Sequence, residues 1–385
     1  MTSPATVNLI FAGGGTGGHL FPAIAIADRV RELLSRETAV KILFVGTKRG
    51  IEYRLRDSLG YPLRLINVRG LARSFTLKNL LVPFLLAGAL WESRSILREW
   101  RPNIVVGTGG YVCWPLLRMA AARSVPTVLQ EQNSFPGITT RRLASRARRV
   151  YLGFEAARSF LAPSASIVVS GNPVRAGIAG GSRVEALTHF GLAAERKTIL
   201  VLGGSQGARA INEAVLTSLA AGSLPPSYQL LWQAGKDHLD SVTAALGDTA
   251  RRHRIVAFEQ RMDLVYAAAD LAVARAGAIT LAELEACRVP ALLVPYPYAA
   301  GDHQRHNARA YAAQGMAEVI DPNELDRCDL LGRAVALFEN GRADQMKAAL
   351  QTLAAGRSAA VDIIAEDIIA LIKQGRLGRE AIVDR

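Results

Sequence analysis

Short apolar runs alternate with amphipathic stretches along most of the chain. The first run, Val7–Ala12, breaks into Gly13-Gly14-Gly15-Thr16-Gly17-Gly18-His19, then into a helix-period stretch, Ala23–Leu34, with Pro22 at a first-turn position. Val40–Gly46 predicts a second strand, Ile51–Ser58 a short helix and Leu63–Val68 a third strand. Ile104–Gly107, Thr127–Gln130, Val150–Leu152 and Ile167–Ser170 are apolar runs of strand length. Gly171-Asn172-Pro173-Val174-Arg175 reads as a linker, with Asn-Pro as the turn signal. Beyond it the alternation resumes. Strands are expected at Thr198–Leu202, Gln229–Gln233, Ile255–Ala257, Leu271–Ala274 and Ala291–Val294. Helices are expected at Ala210–Leu219, Asp237–Ala245, Met262–Ala268 and Ile279–Cys287, and Val361–Leu371 predicts a last amphipathic helix. This order predicts an α/β protein with two doubly wound, Rossmann-like domains, 1–170 and 171–358, facing a central cleft.

One stretch departs from the pattern. Asn79–Trp91 is 13 residues without a charge, interrupted by Pro83 and too short to span a bilayer. Arg69, Arg73 and Lys78 precede it, and Arg94 and Arg98 follow. An apolar patch in a basic frame suits an interfacial membrane contact through Leu80, Leu81, Phe84, Leu85 and Trp91; a core helix is the alternative.

Charge sharpens this. The net charge of +13 lies wholly in residues 1–170, where 23 Lys and Arg face 9 Asp and Glu; the rest has 23 against 24. That half is expected to meet a membrane face, a phosphorylated lipid or nucleic acid, unless the charge only serves solubility. Nucleic acid fits less well, because aromatics are 6% and none interleave with the basic residues. Cys113, Cys287 and Cys328 show no metal spacing and suggest a reduced cytosolic compartment, and no signal peptide is visible.

Three glycine-rich loops follow strands: Gly13–His19, Gly107-Thr108-Gly109-Gly110 and Gly203-Gly204-Ser205-Gln206-Gly207-Ala208-Arg209. Bare amides at a positive helix terminus suit phosphate. Gly13-x-Gly15-x-x-Gly18 also has dinucleotide spacing, and Lys48-Arg49 after the second strand would suit a 2′-phosphate, so an NADP oxidoreductase stays open. His19, held neutral by a helix N-terminus, is a candidate general base for a sugar hydroxyl. Thr280 and Glu283 read either as a capping box or as phosphate and ribose ligands. Asp302, His303 and His306 make an incomplete metal set, whereas Gln304 and Asn307 suit sugar hydroxyls.

The ordered motifs GGGTGGHLFPA, GTGGYV, EQNSFPG, GNPVR, GGSQGARAIN, RAGAITLAE and PYPYAAGDHQRHNA resemble the MurG family of glycosyltransferase family 28, which makes lipid II. The likeness covers nearly the whole chain. It implies a GT-B fold whose C-terminal helix, about 359–385, packs back on the first domain. It implies an inverting N-acetylglucosaminyltransferase with UDP-GlcNAc as donor and lipid I, undecaprenyl-pyrophosphoryl-MurNAc-pentapeptide, as acceptor. The site of action would be the cytoplasmic face of the inner membrane, with anionic inner-leaflet lipids and other cell-wall synthesis proteins as candidate partners and no nucleic acid. No cofactor and no obligatory metal are expected, since a DxD-type pair is absent. Carried over by residue, His19 would be the base. Thr16, Gly17, Gly18, Asn133, Arg175, Ser205, Gln206, Phe258, Glu259, Gly277, Ala278, Ile279, Thr280, Leu281, Ala282, Glu283 and Gln304 would meet the donor. The uracil would bond backbone at Phe258-Glu259, where Glu259 replaces an apolar residue. Gly109, Gly110, Tyr111, Arg141 and Arg142 would meet the acceptor.

Overall fold

The computed structural model describes residues 6–68, 82–203, 208–355 and 359–383, those at 82–84 and 376–383 by backbone alone. Two compact units emerge: Met1–Arg175 with Ser358–Arg385, and Ala176–Arg357.

The first unit runs β1 Val7–Gly13, α1 Gly17–Leu34, β2 Val40–Gly46, α2 Ile51–Arg54, β3 Leu63–Leu65, α3 Val82–Trp100, β4 Ile104–Gly109, α4 Cys113–Ala121, β5 Thr127–Glu131, α5 Ile138–Leu143, β6 Arg149–Leu152 and β7 Ile167–Val169. Its seven parallel strands lie in the order β3-β2-β1-β4-β5-β6-β7. The side-chain period of two sorts β1 between two cores. Leu9 and Phe11 pack with Phe44, Ile26 and Val30, whereas Ile10 and Ala12 pack with Val105, Leu116 and Leu97 on the other face. The order reverses between β1 and β4, the switch point where open α/β sheets bind ligands. There the register shifts, so that Ala12 faces Gly107 but Gly13 faces Gly109.

The second unit runs α6 Arg183–Phe190, β8 Lys197–Leu202, α7 Arg209–Ala220, β9 Tyr228–Gln233, α8 Leu239–Leu246, β10 Arg254–Val256, α9 Met262–Ala268, β11 Leu271–Ala274, α10 Ala278–Cys287, β12 Ala291–Leu293, α11 His303–Ala312, β13 Ala317–Val319, α12 Leu330–Glu339 and α13 Arg342–Ala355. Its parallel sheet has the order β10-β9-β8-β11-β12-β13, with its own switch point between β8 and β11. Trp232, Val201, Ile211, Leu331 and Met346 share its core.

The last helix, α14 Ala360–Val383, returns to the first unit, as the family resemblance implied. Ile364, Ala365, Ile368 and Ile372 join the core beside α1. Asp362 pairs with Arg29 at 2.6 Å, and Asp367 takes Arg149 at 2.8 Å and the Tyr151 hydroxyl at 2.9 Å.

Three local expectations change. Helix α1 starts at Gly17, so Pro22 lies inside it rather than at its start. The first turn closes tightly, with the His19 amide on the Thr16 carbonyl at 3.2 Å, and His19 therefore sits within that turn. The third strand stops at Leu65, and the helix expected over 51–58 divides into α2 and a 3₁₀ turn, Arg56–Ser58. Among the described residues no helix is long and apolar enough to cross a membrane. In α3, Ala89, Ser93, Ile96 and Leu97 are buried, so its later half is a core helix. Trp91 stands out at 72% exposure, with Arg94 and Arg98 also exposed and Leu85 half-buried. Leu80 and Leu81 lie outside the described residues, and Phe84 is described by backbone alone.

Candidate active site

His19 occupies the first switch point. Its Nδ1 lies 3.1 Å from the Gly14 carbonyl oxygen, with the Thr16 hydroxyl at 3.4 Å. A carbonyl only accepts, so Nδ1 carries the proton and Nε2 is left as the basic nitrogen. The ring lies against the Gly109-Gly110 turn. A Cβ on Gly109, where φ is +106°, would stand 2.6 Å from His19 Cδ2 and 2.9 Å from Nε2. The loop GTGG is glycine here because an imidazole fills the side-chain space.

A buried amide chain backs this arrangement. The Thr108 hydroxyl donates to the His19 carbonyl at 2.8 Å, and Gln132 Nε2 donates to the Thr108 carbonyl at 2.7 Å. Gln132 also contacts the Gln130 side-chain oxygen, and Gln130 Nε2 donates to Asn172 Oδ1 at 2.9 Å. Asn172 Nδ2 in turn donates to the Gln132 carbonyl at 2.9 Å. The motifs that look separate in sequence thus form one hydrogen-bonded layer. Beneath it, Cys113 Sγ accepts the Gly109 amide at 3.2 Å and lies 2.8 Å from the Ala12 carbonyl. Burial pushes this thiol up to about 12, so it stays protonated.

Of the expected first-unit residues, Thr16 flanks α1 and Gly17 and Gly18 form its first turn. Asn133 is held by Glu131 through its backbone at 3.1 Å and its side chain at 3.3 Å. The other oxygen of Glu131 takes the Gly137 amide and the Thr140 hydroxyl at the start of α5. Tyr111 is 63% exposed beside the Gly109-Gly110 turn. Arg141 lies over the Phe135 ring at 5.2 Å, and Arg142 is exposed on the same helix. Arg175 ends the first unit and lies over Phe21 at 5.7 Å.

The dinucleotide alternative fails here for a physical reason. The Gly15 amide, which a pyrophosphate would need, donates to the buried carboxylate of Glu52 at 2.8 Å. An internal anion already occupies that part of the loop, and a second one would be repelled.

In the second unit, α10 begins at Ala278 after Gly277, and no side chain caps it. Thr280 and Glu283 are its third and sixth residues, too far along for a capping box. The amides of Ala278, Ile279 and Thr280 are first-turn donors beside the switch point. Leu281 turns into the core, its amide spent on the Gly277 carbonyl, and Ala282 is half-buried. Glu283 is 7% exposed and accepts from the Tyr266 hydroxyl at 2.8 Å. Arg275 donates to the Val294 and Pro295 carbonyls, and burial lowers its pKa. Gln304 Oε1 accepts the Tyr296 amide at 2.9 Å.

Several readings are corrected. Asn307 is fully buried and donates to the Ala276 carbonyl at 3.3 Å, so it braces the loop rather than meeting a sugar. His303 Nδ1 is 2.7 Å from the Ala300 carbonyl. Among the described residues no cluster of three His, Cys, Asp or Glu is arranged to hold a metal. Phe258 is 53% exposed, and the Glu259 amide donates to Gln233 Oε1 at 3.0 Å. The Glu259 carboxylate folds back onto the Gln260 and Arg261 amides. Ser205 and Gln206 lie outside the described residues. Glu52, Thr108, Gln132, Cys113 and Tyr266 carry weight in these sites without a sequence signal of their own.

Two parallel sheets, each with glycine-lined loops at its switch point and a C-terminal helix returned to the first, define an α/β protein of the GT-B class. The chain belongs to glycosyltransferase family 28: the N-terminal domain of that family matches residues 9–152 and its C-terminal domain matches 198–363. The chain is 43% identical to the UDP-N-acetylglucosamine--N-acetylmuramyl-(pentapeptide) pyrophosphoryl-undecaprenol N-acetylglucosamine transferase of Chlorobaculum parvum, over 95% of this chain and 100% of that one. The protein of the same name from Chlorobium phaeobacteroides is 45% identical over 83% of this chain and 87% of its own. The crystal structure of Acinetobacter baumannii MurG superposes with a TM-score of 0.72 at 25% identity, covering 94% and 99% of the two chains.

Proposed function

We propose that this chain transfers N-acetylglucosamine from UDP-GlcNAc to the 4-hydroxyl of MurNAc in lipid I, giving lipid II with a β-1,4 link in peptidoglycan synthesis. The observation that carries the reading is 43% identity over the full length of a relative that bears this activity in its name.

The chemistry of this reading divides between the two units. His19 Nε2 takes the proton of the acceptor hydroxyl. The freed oxygen pair attacks the anomeric carbon, and the bond from that carbon to the β-phosphate oxygen breaks, its electron pair leaving with UDP. Attack opposite the leaving group inverts the centre. The departing charge is met by the first-turn amides of α10 and by the Ser205-Gln206 loop, so that neither a metal nor another cofactor is required. In the second unit Glu283 accepts the ribose hydroxyls and Gln304 meets the sugar; in the first unit Thr16 and Asn133 are assigned to the donor as well. Gly109, Gly110, Arg141 and Arg142 receive the acceptor pyrophosphate. The basic first unit and the patch around Leu85 and Trp91 hold the enzyme on anionic lipid at the cytoplasmic face of the membrane.

Radiolabelled UDP-GlcNAc with a short-chain lipid I analogue tests the reading. Label in the lipid, with little from UDP-glucose, is the expected result. UDP binding without transfer to lipid I overturns the acceptor assignment.

A further inference from the structure

Glu52 is a side chain that nothing in the transfer chemistry calls for. It is 1% exposed, at the first turn of α2, and both of its oxygens are engaged. Oε1 accepts the Thr47 amide at 2.8 Å and the Thr47 hydroxyl at 3.3 Å, and Oε2 accepts the Gly15 amide at 2.8 Å. A Cβ on Gly14, Gly46 or Gly50 would run into this carboxyl group, so three glycines make room for it. Burying a carboxylate is costly unless its acceptors are filled, and the fold fills them with backbone from two separate loops.

The Gly15 amide belongs to the same peptide group as the Gly14 carbonyl. That carbonyl is the one that accepts from His19 Nδ1 at 3.1 Å. One planar peptide therefore joins imidazole to carboxylate: Nδ1–H to oxygen on one edge, N–H to Oε2 on the other.

We propose that Glu52 is a positioning residue for sugar transfer, acting on His19 through the single peptide group Gly14–Gly15. The proposal rests on His19 as the base. A carboxylate that accepts from a peptide N–H polarises the group and makes its carbonyl a stronger acceptor, so the two hydrogen bonds reinforce each other. The stronger carbonyl fixes the Nδ1–H form and leaves Nε2, on the far side of the ring, as the unprotonated nitrogen. When Nε2 gains the acceptor proton, the new positive charge lies one peptide from a buried negative one. In a serine-protease triad a carboxylate does this in direct contact with histidine. Here the peptide stands between them, which keeps the carboxylate dry.

The other ionisable groups around the pair are few. Cys113 under Gly109 is uncharged at neutral pH, because burial pushes it up to about 12. Glu131 at the end of β5 is tied to Asn133, Gly137 and Thr140. Lys48 and Arg49 are exposed on the turn after β2, and Tyr111 is exposed beside the glycine turn.

The test uses the full-length protein with ¹⁵N-labelled histidine. The chain has six histidines, and the His19 signals are those lost in H19A. Wild type is expected to show a protonated Nδ1 and a bare Nε2 in the neutral ring. In E52Q that preference is expected to weaken, the His19 titration midpoint to fall by about 0.5–1 pH unit, and kcat to fall about 10–100-fold with KM for UDP-GlcNAc unchanged. A neutral wild-type ring protonated at Nε2 overturns the proposal, as does an E52Q enzyme with wild-type ring signals and turnover. If E52Q does not fold, E52D keeps the charge at a longer reach and is expected to show intermediate loss of turnover and an intermediate midpoint; wild-type values in E52D overturn the proposal equally. Full activity in H19A would remove the base assignment, but the ring measurements would still read the link to Glu52.

Discussion

Gly109 has no side chain because His19 lies where one would be: a Cβ there would fall 2.6 Å from Cδ2 of the imidazole. G109A is expected to push the ring aside and to strain a backbone held at φ +106°. Displacing a base by about 1 Å costs on the order of 100-fold in turnover, and the strained residue costs about 1–3 kcal/mol in stability. Steady-state kinetics beside a denaturant titration separates the two, and unchanged kcat would show that the contact does not matter.

H19A removes the side chain proposed as the proton acceptor. Turnover should fall by about 10²–10⁴-fold, the usual contribution of a positioned base, while UDP affinity stays close to wild type. Rapid-quench transfer assays with calorimetric UDP binding give both numbers.

Glu283 is the corresponding test in the second unit. A hydrogen bond to a charged group is worth about 1.5–3 kcal/mol, so E283A should weaken UDP binding by roughly 10–100-fold. Y266F removes only the 2.8 Å hydroxyl contact to that carboxylate and should weaken binding far less. Equal losses in the two variants would assign Glu283 to bracing the fold.

Acid sensitivity has a specific source. Burial, with Arg252 and Arg196 nearby, lowers His253 from 6.5 to about 4, and its Nδ1 accepts the Leu230 amide at 3.3 Å. Between pH 6.5 and about 4 the unfolded chain binds a proton that the folded chain refuses. Stability is therefore full above this window and declines as pH falls through it. Allowing for the partial exposure of the ring, the loss is about 2 kcal/mol. H253Q should lose this part of the pH dependence, measured as the difference in urea midpoint between pH 7.5 and 4.5.

Trp91 is 72% exposed on a helix whose opposite side is core. Replacing Trp91 and Leu85 with Ser should reduce sedimentation with anionic vesicles several-fold and leave UDP binding intact. Unchanged sedimentation would assign the patch to something other than lipid.

The strands were readable because each is a short apolar run between glycine or polar turns. Val40–Gly46 and Leu271–Ala274 match their expected ends to the residue. Helix starts were harder. Gly17 and Gly18 look like loop, yet α1 has already begun there, since glycine permits the turn and tertiary contacts decide it. The candidate-site loops were visible as glycine patterns, but their internal bracing was not. Glu52 reads as an ordinary first-turn acid, and only the approach of Gly15, 37 residues away, reveals its partner. Asn307 misled for the same reason: an amide in a polar loop looks available until packing seals it beneath Ala276.

The return of α14 to the first unit has a consequence for how the chain is made. Asp367 meets Arg149 across 218 positions, and Ile364, Ile368 and Ile372 cover the side of the sheet that α1 also covers. All of Ala176–Arg357 is threaded between these partners. During synthesis the first sheet must wait, that flank covered by α1 but not by α14, until the second unit has emerged. Loop closure over that distance makes its completion a late event. A nascent chain stalled before Ala360 is thus expected to be a client for chaperones, and after a single proteolytic cut past Arg175 the closing helix would be held to the first unit only by its noncovalent contacts.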